Sequence, residues 1–230
     1  MLGSRRVLVK HKDDAFNARW YDRAPFMSQR MLCDTAVVAM GGSIGALWAA
    51  QFVLELRAER HVSTVRVVMS DAAAALVTPA AMRAISGELV LTSLFASDAP
   101  WPVGHVQISE GAGVMIVMPA TANIIGKVAQ GIADDAVTSA IMAAACPVVF
   151  VPNMNGRMWA RPAVQRNVLT LRADGYHVVP PVSGVAVSTG QTMTGGMPDA
   201  DAVIAFVKKV LSRGAPKRAS HQRRQSKSRG

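Results

Sequence analysis

The chain has 230 residues, 50% of them apolar, and 25 Lys+Arg against 15 Asp+Glu give a formal net charge of +10. The surplus sits at the ends: residues 208–230 hold nine basic and no acidic residues, and residues 1–34 hold seven basic and four acidic, which leaves nine basic against eleven acidic over 35–207. A nucleic-acid-binding body would carry its own basic face, so that class is excluded, and no run of 18 or more apolar residues is present to cross a membrane.

Residues 1–34 are polar, turn-rich and basic, and are expected to be poorly ordered; Met31 stands just before the first apolar run, as if 1–34 were an upstream extension. Ser4-Arg5-Arg6 superficially resembles a twin-arginine export signal, yet His11 to Arg30 are polar and charged where such a signal is apolar. Two cysteines, Cys33 and Cys146, are too few for a disulfide framework and match no metal spacing, which fits a reducing cytoplasm.

Apolar runs at Thr35–Met40, Thr64–Ser70, Val114–Met118, Pro147–Val151 and Tyr176–Pro180 predict strands. Four of them are continuous in Val, Ile and Met, the pattern of parallel strands covered on both faces. Between them, Ile44–Arg57, Asp134–Ala145, Pro162–Ala173 and Asp199–Leu211 predict helices, the last beginning with acids and ending in Lys208-Lys209 as a helix dipole favours. Strand–helix alternation with short links gives one α/β domain over 35–212, a doubly wound parallel sheet of the flavodoxin-like or Rossmann-like kind. The Gly-, Ser- and Thr-rich stretch 182–198 reads equally as a flap over the site or as a linker, and 213–230 as a disordered basic tail.

In such sheets ligands collect beyond the carboxyl ends of the strands. The first strand ends in Gly41-Gly42-Ser43-Ile44-Gly45, where small residues, helix amides and the Ser43 hydroxyl are able to hold a phosphate; a tight turn without ligand is an equal reading. The second ends in Ser70-Asp71, followed by an alanine run and Thr78-Pro79; Ser70 is a phosphate donor or an ordinary helix cap. Two loops are more specific. Val114–Met118 runs into Pro119-Ala120-Thr121-Ala122-Asn123-Ile124-Ile125-Gly126-Lys127, and Pro147–Val151 into Pro152-Asn153-Met154-Asn155-Gly156-Arg157-Met158-Trp159. Amide side chains, backbone groups and Met and Trp surfaces with few charges suit a planar, polar-edged cofactor.

These residues carry a family resemblance. The segment 119–127 resembles the P-A-S/T-A-N-T motif of the homo-oligomeric flavin-containing cysteine decarboxylases, and 152–159 their P-x-M-N-x-x-M-W; Gly131-Ile132-Ala133-Asp134-Asp135 and Pro162-Ala163-Val164-Gln165-Arg166-Asn167 extend it over roughly 35–185. The resemblance implies FMN in a flavodoxin-like fold, a homotrimer or a dodecamer of four trimers, and decarboxylation of a C-terminal cysteine. It points to Gly42, Ser43, Ile44, Ser70, Thr78, Pro119, Ala120, Thr121, Asn123 and Met154 for the cofactor and to Asn155, Met158 and Trp159 for the substrate. His105, in Gly104-His105-Val106-Gln107-Ile108, matches the family's H-I-x-L, whose histidine is the catalytic base. A near-neutral imidazole is suited to taking a thiol proton, and the other four histidines lie in tails or beside strands without polar motifs.

By that resemblance, oxidation of the cysteine side chain to a thioaldehyde lets loss of CO₂ push electrons onto sulfur as an enethiolate, with Asn155 binding the carboxylate. Relatives of coenzyme A biosynthesis then reduce the enethiol with a cysteine in a G-x-L-A-C-G segment. Here the corresponding stretch is Ser183-Gly184-Val185-Ala186-Val187-Ser188-Thr189-Gly190, with Val187 or Ser188 at the cysteine position and no cysteine after Cys146. The expected substrate is therefore a Cys-terminated precursor peptide of the lantibiotic type, left as the enethiol, with other peptide-modifying enzymes as further partners. Phosphopantothenoylcysteine, or a non-catalytic FMN-binding regulatory role, is the alternative. A flavin prenyltransferase would lack the P-x-M-N-x-x-M-W loop.

Overall fold

The computed structural model describes residues 31–95, 102–185 and 190–213. The expected extension over residues 1–30, and all but Arg213 of the expected tail, lie outside the described residues. At the start of the described chain the Leu32 amide donates to the His61 carbonyl, 2.8 Å away.

Strand β1 (Thr35–Met40) is followed by α1 (Ala46–Ala58), β2 (Thr64–Met69), the short α2 (Asp71–Ala74), α3 (Pro79–Ser86) and β3 (Val90–Leu91). After the single turn α4 (Gly104–Gln107) come β4 (Val114–Ala120), α5 (Ala122–Ala129), α6 (Ala136–Ala143), β5 (Val148–Pro152), α7 (Gly156–Trp159), α8 (Pro162–Ala173) and β6 (His177–Val178). A hairpin of β7 (Val182–Val185) and β8 (Thr192–Gly196) and then α9 (Ala200–Ser212) complete it.

The main sheet has the order β3-β2-β1-β4-β5-β6 with every pairing parallel. β1, β4 and β5 are buried along their whole length because both faces are covered. Alternation assigns Ala36, Val38 and Met40 to one core with Phe52, Leu56, Val203 and Val207, and Val37 and Ala39 to the other with Ile125, Val137, Ile141 and Leu171. The helix after β1 therefore joins one core and the helices after β4 the other. Between β1 and β4 the winding reverses, which opens a crevice at their carboxyl ends.

Where the sequence predicted an extended loop at 119–127, the strand continues to Ala120 and α5 begins at once. The Thr121 hydroxyl accepts the Ile124 amide at 3.3 Å, and Ile124, Ile125 and Val128 bury one face. Asp135 starts α6 through a capping box with Thr138. Within 182–198 the chain pairs β7 with β8 antiparallel; residues 186–189 lie outside the described residues.

Candidate functional site

A cavity of about 570 Å³ opens at the carboxyl ends of β1, β2, β4 and β5, inside the range of about 300–1,000 Å³ usual for small-molecule sites. Gly42 and Ser43 line it from the turn after β1, Ser70, Asp71 and Ala72 from the start of α2, and Thr121, Ala122, Asn123 and Lys127 from α5. Asn153, Met154, Asn155 and Met158 close the side beyond β5, with Met69, Thr92, Ile124, Asp135 and Ala136 around them.

Each loop is held by its own hydrogen bonds. The Gly41 amide donates to the Pro119 carbonyl at 3.1 Å and the Asn153 amide to the Ala120 carbonyl at 3.1 Å, which locks the three loops beyond β1, β4 and β5 together. At Gly42 a side chain would collide with Ala72, so the glycine lets the turn after β1 and the start of α2 close on each other. The Ser43 hydroxyl donates to Asn153 Oδ1 at 2.7 Å and accepts the Gly45 amide at 3.2 Å. Ser70 both lines the cavity and caps α2, accepting the Ala73 amide at 3.2 Å. Asn155 starts α7, its Oδ1 accepting the Arg157 amide at 2.9 Å.

Charge on the wall is balanced locally. Lys127 Nζ lies 2.7 Å from Asp134 Oδ1 and 2.9 Å from Asp135 Oδ2. Hydrogen bonds to Asp134 and then Asp135 hold the Lys127 ammonium above its ordinary range. For Asp135 burial pulls upward, but the Thr138 amide, Lys127 and the Thr138 hydroxyl outweigh it and leave the carboxyl below its usual range. Besides the Asp71 carboxylate, what remains is hydroxyls, amides and methionine surface, a donor set that fits the polar edge and flat faces of a flavin.

Of the expected residues, Gly42, Ser43, Ser70, Thr121, Asn123, Met154, Asn155 and Met158 line this one cavity. The others do not. Ile44 is exposed on the turn, and Thr78 caps α3, accepting the Ala81 amide at 3.1 Å. Pro119 and Ala120 are buried in β4, and Trp159 packs on the core while its carbonyl accepts from Gln165. His105 lies on α4, outside the cavity lining, with Nδ1 buried and without a hydrogen-bond partner among the described residues. Cys146 precedes β5 at the opposite end of the sheet, and burial pushes its thiol up to about 11, as suits a small core residue. Asn153, Lys127 and Asp135 are wall residues to which the sequence assigned no role; Asp135-x-x-Thr138 is a legible cap, but nothing in the sequence shows that the cap faces the cavity.

The Flavoprotein family profile matches residues 28–212. The chain belongs to the Flavoprotein family. The flavin expected from the two motif loops agrees with that membership, and so does the doubly wound fold. The coenzyme A biosynthesis bifunctional protein CoaBC of Mycobacterium tuberculosis (strain ATCC 25618 / H37Rv) is 36% identical over 177 residues, 77% of this chain and 41% of that protein. The chain thus spans about two fifths of the length of the curated relatives of this kind. Among solved structures, the FMN-dependent cysteine decarboxylase SpaF superposes with a TM-score of 0.66 at 33% identity over 78% of this chain and 97% of its own. The FMN-dependent cysteine decarboxylase TvaF from thioviridamide biosynthesis does so with a TM-score of 0.59 at 34% identity over 63% of this chain and 88% of its own. The resemblance to the flavin-containing cysteine decarboxylases therefore holds at the level of the family. No helix among the described residues is long and apolar enough to cross a membrane.

Proposed function

We propose that this Flavoprotein family member is an FMN-dependent decarboxylase of the C-terminal cysteine of a ribosomally made precursor peptide, releasing CO₂ and leaving an aminoenethiol. One observation carries the reading: a single cavity brings together the glycine turn, Ser70, the Thr121–Asn123 segment and the Met154–Met158 segment, eight of the residues expected from the family resemblance. Bound FMN supplies the two-electron oxidation that cysteine decarboxylation requires. Ser70, Thr121, Asn123 and Asn153 offer hydroxyl and amide donors to it, and Met154 offers a flat apolar surface. Asn155 binds and orients the substrate carboxylate, and His105, which lies on α4 outside that cavity's lining, is the base to which the family resemblance assigns the thiol proton.

The product branch rests on sequence: no cysteine follows Cys146, which itself sits at the far edge of the sheet, so no thiol stands ready to reduce the enethiol. The hairpin β7–β8 serves as the flap over the peptide, and the basic residues at 208–230 attract an acidic precursor peptide or a partner enzyme. Exposed Leu47, Trp48 and Leu54 along α1 support assembly as a trimer or as four trimers. A cytoplasmic location belongs to the same proposal.

A second reading, phosphopantothenoylcysteine as substrate, draws on the 36% identity to CoaBC. Mass spectrometry separates the two. Purified protein is expected to be yellow and to remove about 46 Da, CO₂ and two hydrogens, from peptides ending in cysteine. His105→Asn is expected to keep the flavin and lose that product. A colourless protein without FMN defeats the enzyme reading; conversion of phosphopantothenoylcysteine to the saturated thiol moves the chain to the other branch.

A further inference from the structure

His105 sits on a helix that cannot hold itself. α4 has four residues, and a single turn is far too short to be stable by its own hydrogen bonds. Its N-cap, Val103, has no side chain to cap with. Nor does a hydrogen bond aim the imidazole: in catalytic histidines a carboxylate or carbonyl commonly takes the second ring N–H, whereas Nδ1 of His105 is buried and unpartnered among the described residues. Where the ring sits is therefore set by the backbone that carries it and by the packing around it, not by a hydrogen bond to Nδ1.

That backbone is held at both ends by two side chains. At the start of the turn, Gln107 Oε1 reaches back and accepts the Val103 amide at 2.9 Å, replacing the missing cap. At its end, Arg66 crosses from β2 and Nη1 donates to the carbonyls of Glu110 at 2.8 Å and Ile108 at 3.1 Å, with that of Gln107 at 3.4 Å. These carbonyls lie at and just beyond the end of α4, so the guanidinium makes charge-assisted hydrogen bonds to the chain as it leaves the turn. Ile108 and Ser109 between these contacts are buried, so the clamp works on a segment already pressed to the core.

We infer that Arg66 is a positioning residue for His105, acting through the main chain of α4, with Gln107 as its counterpart at the other end. The inference rests on His105 being the base of the proposed reaction. Arg66→Met removes the donor and keeps the bulk of the side chain; Arg66→Lys restores a cation with three donors. Arg66→Met is expected to lower kcat on a Cys-terminated peptide about tenfold, in line with the cost of misplacing a reacting group by a fraction of an ångström, with KM and FMN content unchanged. Arg66→Lys is expected to recover most of that loss. Amide exchange over 103–110, measured by mass spectrometry, is expected to speed up about tenfold in Arg66→Met.

If Arg66→Met does not fold, Gln107→Leu, which leaves β2 untouched, is expected to give the same loss of kcat. Wild-type kcat in the folded variant, a change in KM alone, or no rescue by lysine overturns the assignment. Absence of the 46 Da product from the wild-type protein defeats the functional reading instead; the clamp is then judged by exchange alone, and unchanged protection in Arg66→Met overturns it.

Discussion

The Ser43 hydroxyl donates to Asn153 Oδ1 across 2.7 Å, joining loops that lie 110 residues apart in the chain. The bond links the loops after β1 and β5 across the edge of β4, so two parts of the cavity wall are tied to each other. It also changes the part expected of Ser43. Its proton is already committed to Asn153, and the amide nitrogen of Asn153 becomes the donor this corner presents to a ligand.

Ser43→Ala is therefore expected to weaken FMN binding about tenfold, close to 1.4 kcal/mol, because Asn153 Oδ1 loses its partner on the cavity wall. Asn153→Ala is expected to cost at least as much. The double variant should cost clearly less than the sum, since both substitutions break one bond. Flavin fluorescence titration of the four proteins gives the coupling; strict additivity would mean that the two side chains act separately.

Lys127 and Asp135 link the cavity wall to pH. Asp135 is depressed in the folded chain, so its contribution to stability is fully present above the ordinary carboxyl value of 3.8 and is lost as pH falls through the lower folded value. Lys127 is raised, so its contribution is present below 10.5 and is lost as pH rises through the higher folded value. Lys127→Met is expected to destabilise by about 1 kcal/mol at pH 7. In urea unfolding the gap to wild type should narrow below pH 3.8 and again above 10.5. A gap constant across both limits would place the effect in packing.

Gly195 fastens the hairpin to the cavity. It has φ near +149°, its carbonyl accepts the Met154 amide at 3.0 Å, and a side chain there would collide with the Met154 carbonyl oxygen. Gly195→Ala is expected to cost about 1–3 kcal/mol of local stability, through strain and collision together. The Met154 amide should lose exchange protection and peptide KM should rise, while the six-stranded sheet stays protected. Unchanged protection at Met154 would show that the hairpin absorbs the substitution without releasing the loop.

Much of this protein is legible in its sequence. β1 occupies the predicted Thr35–Met40 residue for residue, because a strand buried on both faces reads as one unbroken apolar run. Thr121, Asn123, Met154 and Asn155 are legible for a different reason: each motif is a short local string at a strand end, and a doubly wound sheet gathers such ends on one edge.

Other features depend on which strands lie side by side. Ile44, Thr78 and Trp159 belong to the same strings as cavity residues, yet a turn, a helix cap and a core contact direct them elsewhere. The hairpin escaped notice because its first strand is exposed on every residue and so leaves no alternation in the sequence. The bond from Ser43 to Asn153, the place of Lys127 and Asp135 on the wall, and the hold of Arg66 on the turn that carries His105 join residues from different elements. By itself the sequence determined the strand ends and their chemistry, because those are properties of short segments. Only the tertiary structure decided which ends meet, because side-chain bonds between loops form once the order β3-β2-β1-β4-β5-β6 has brought those loops within reach.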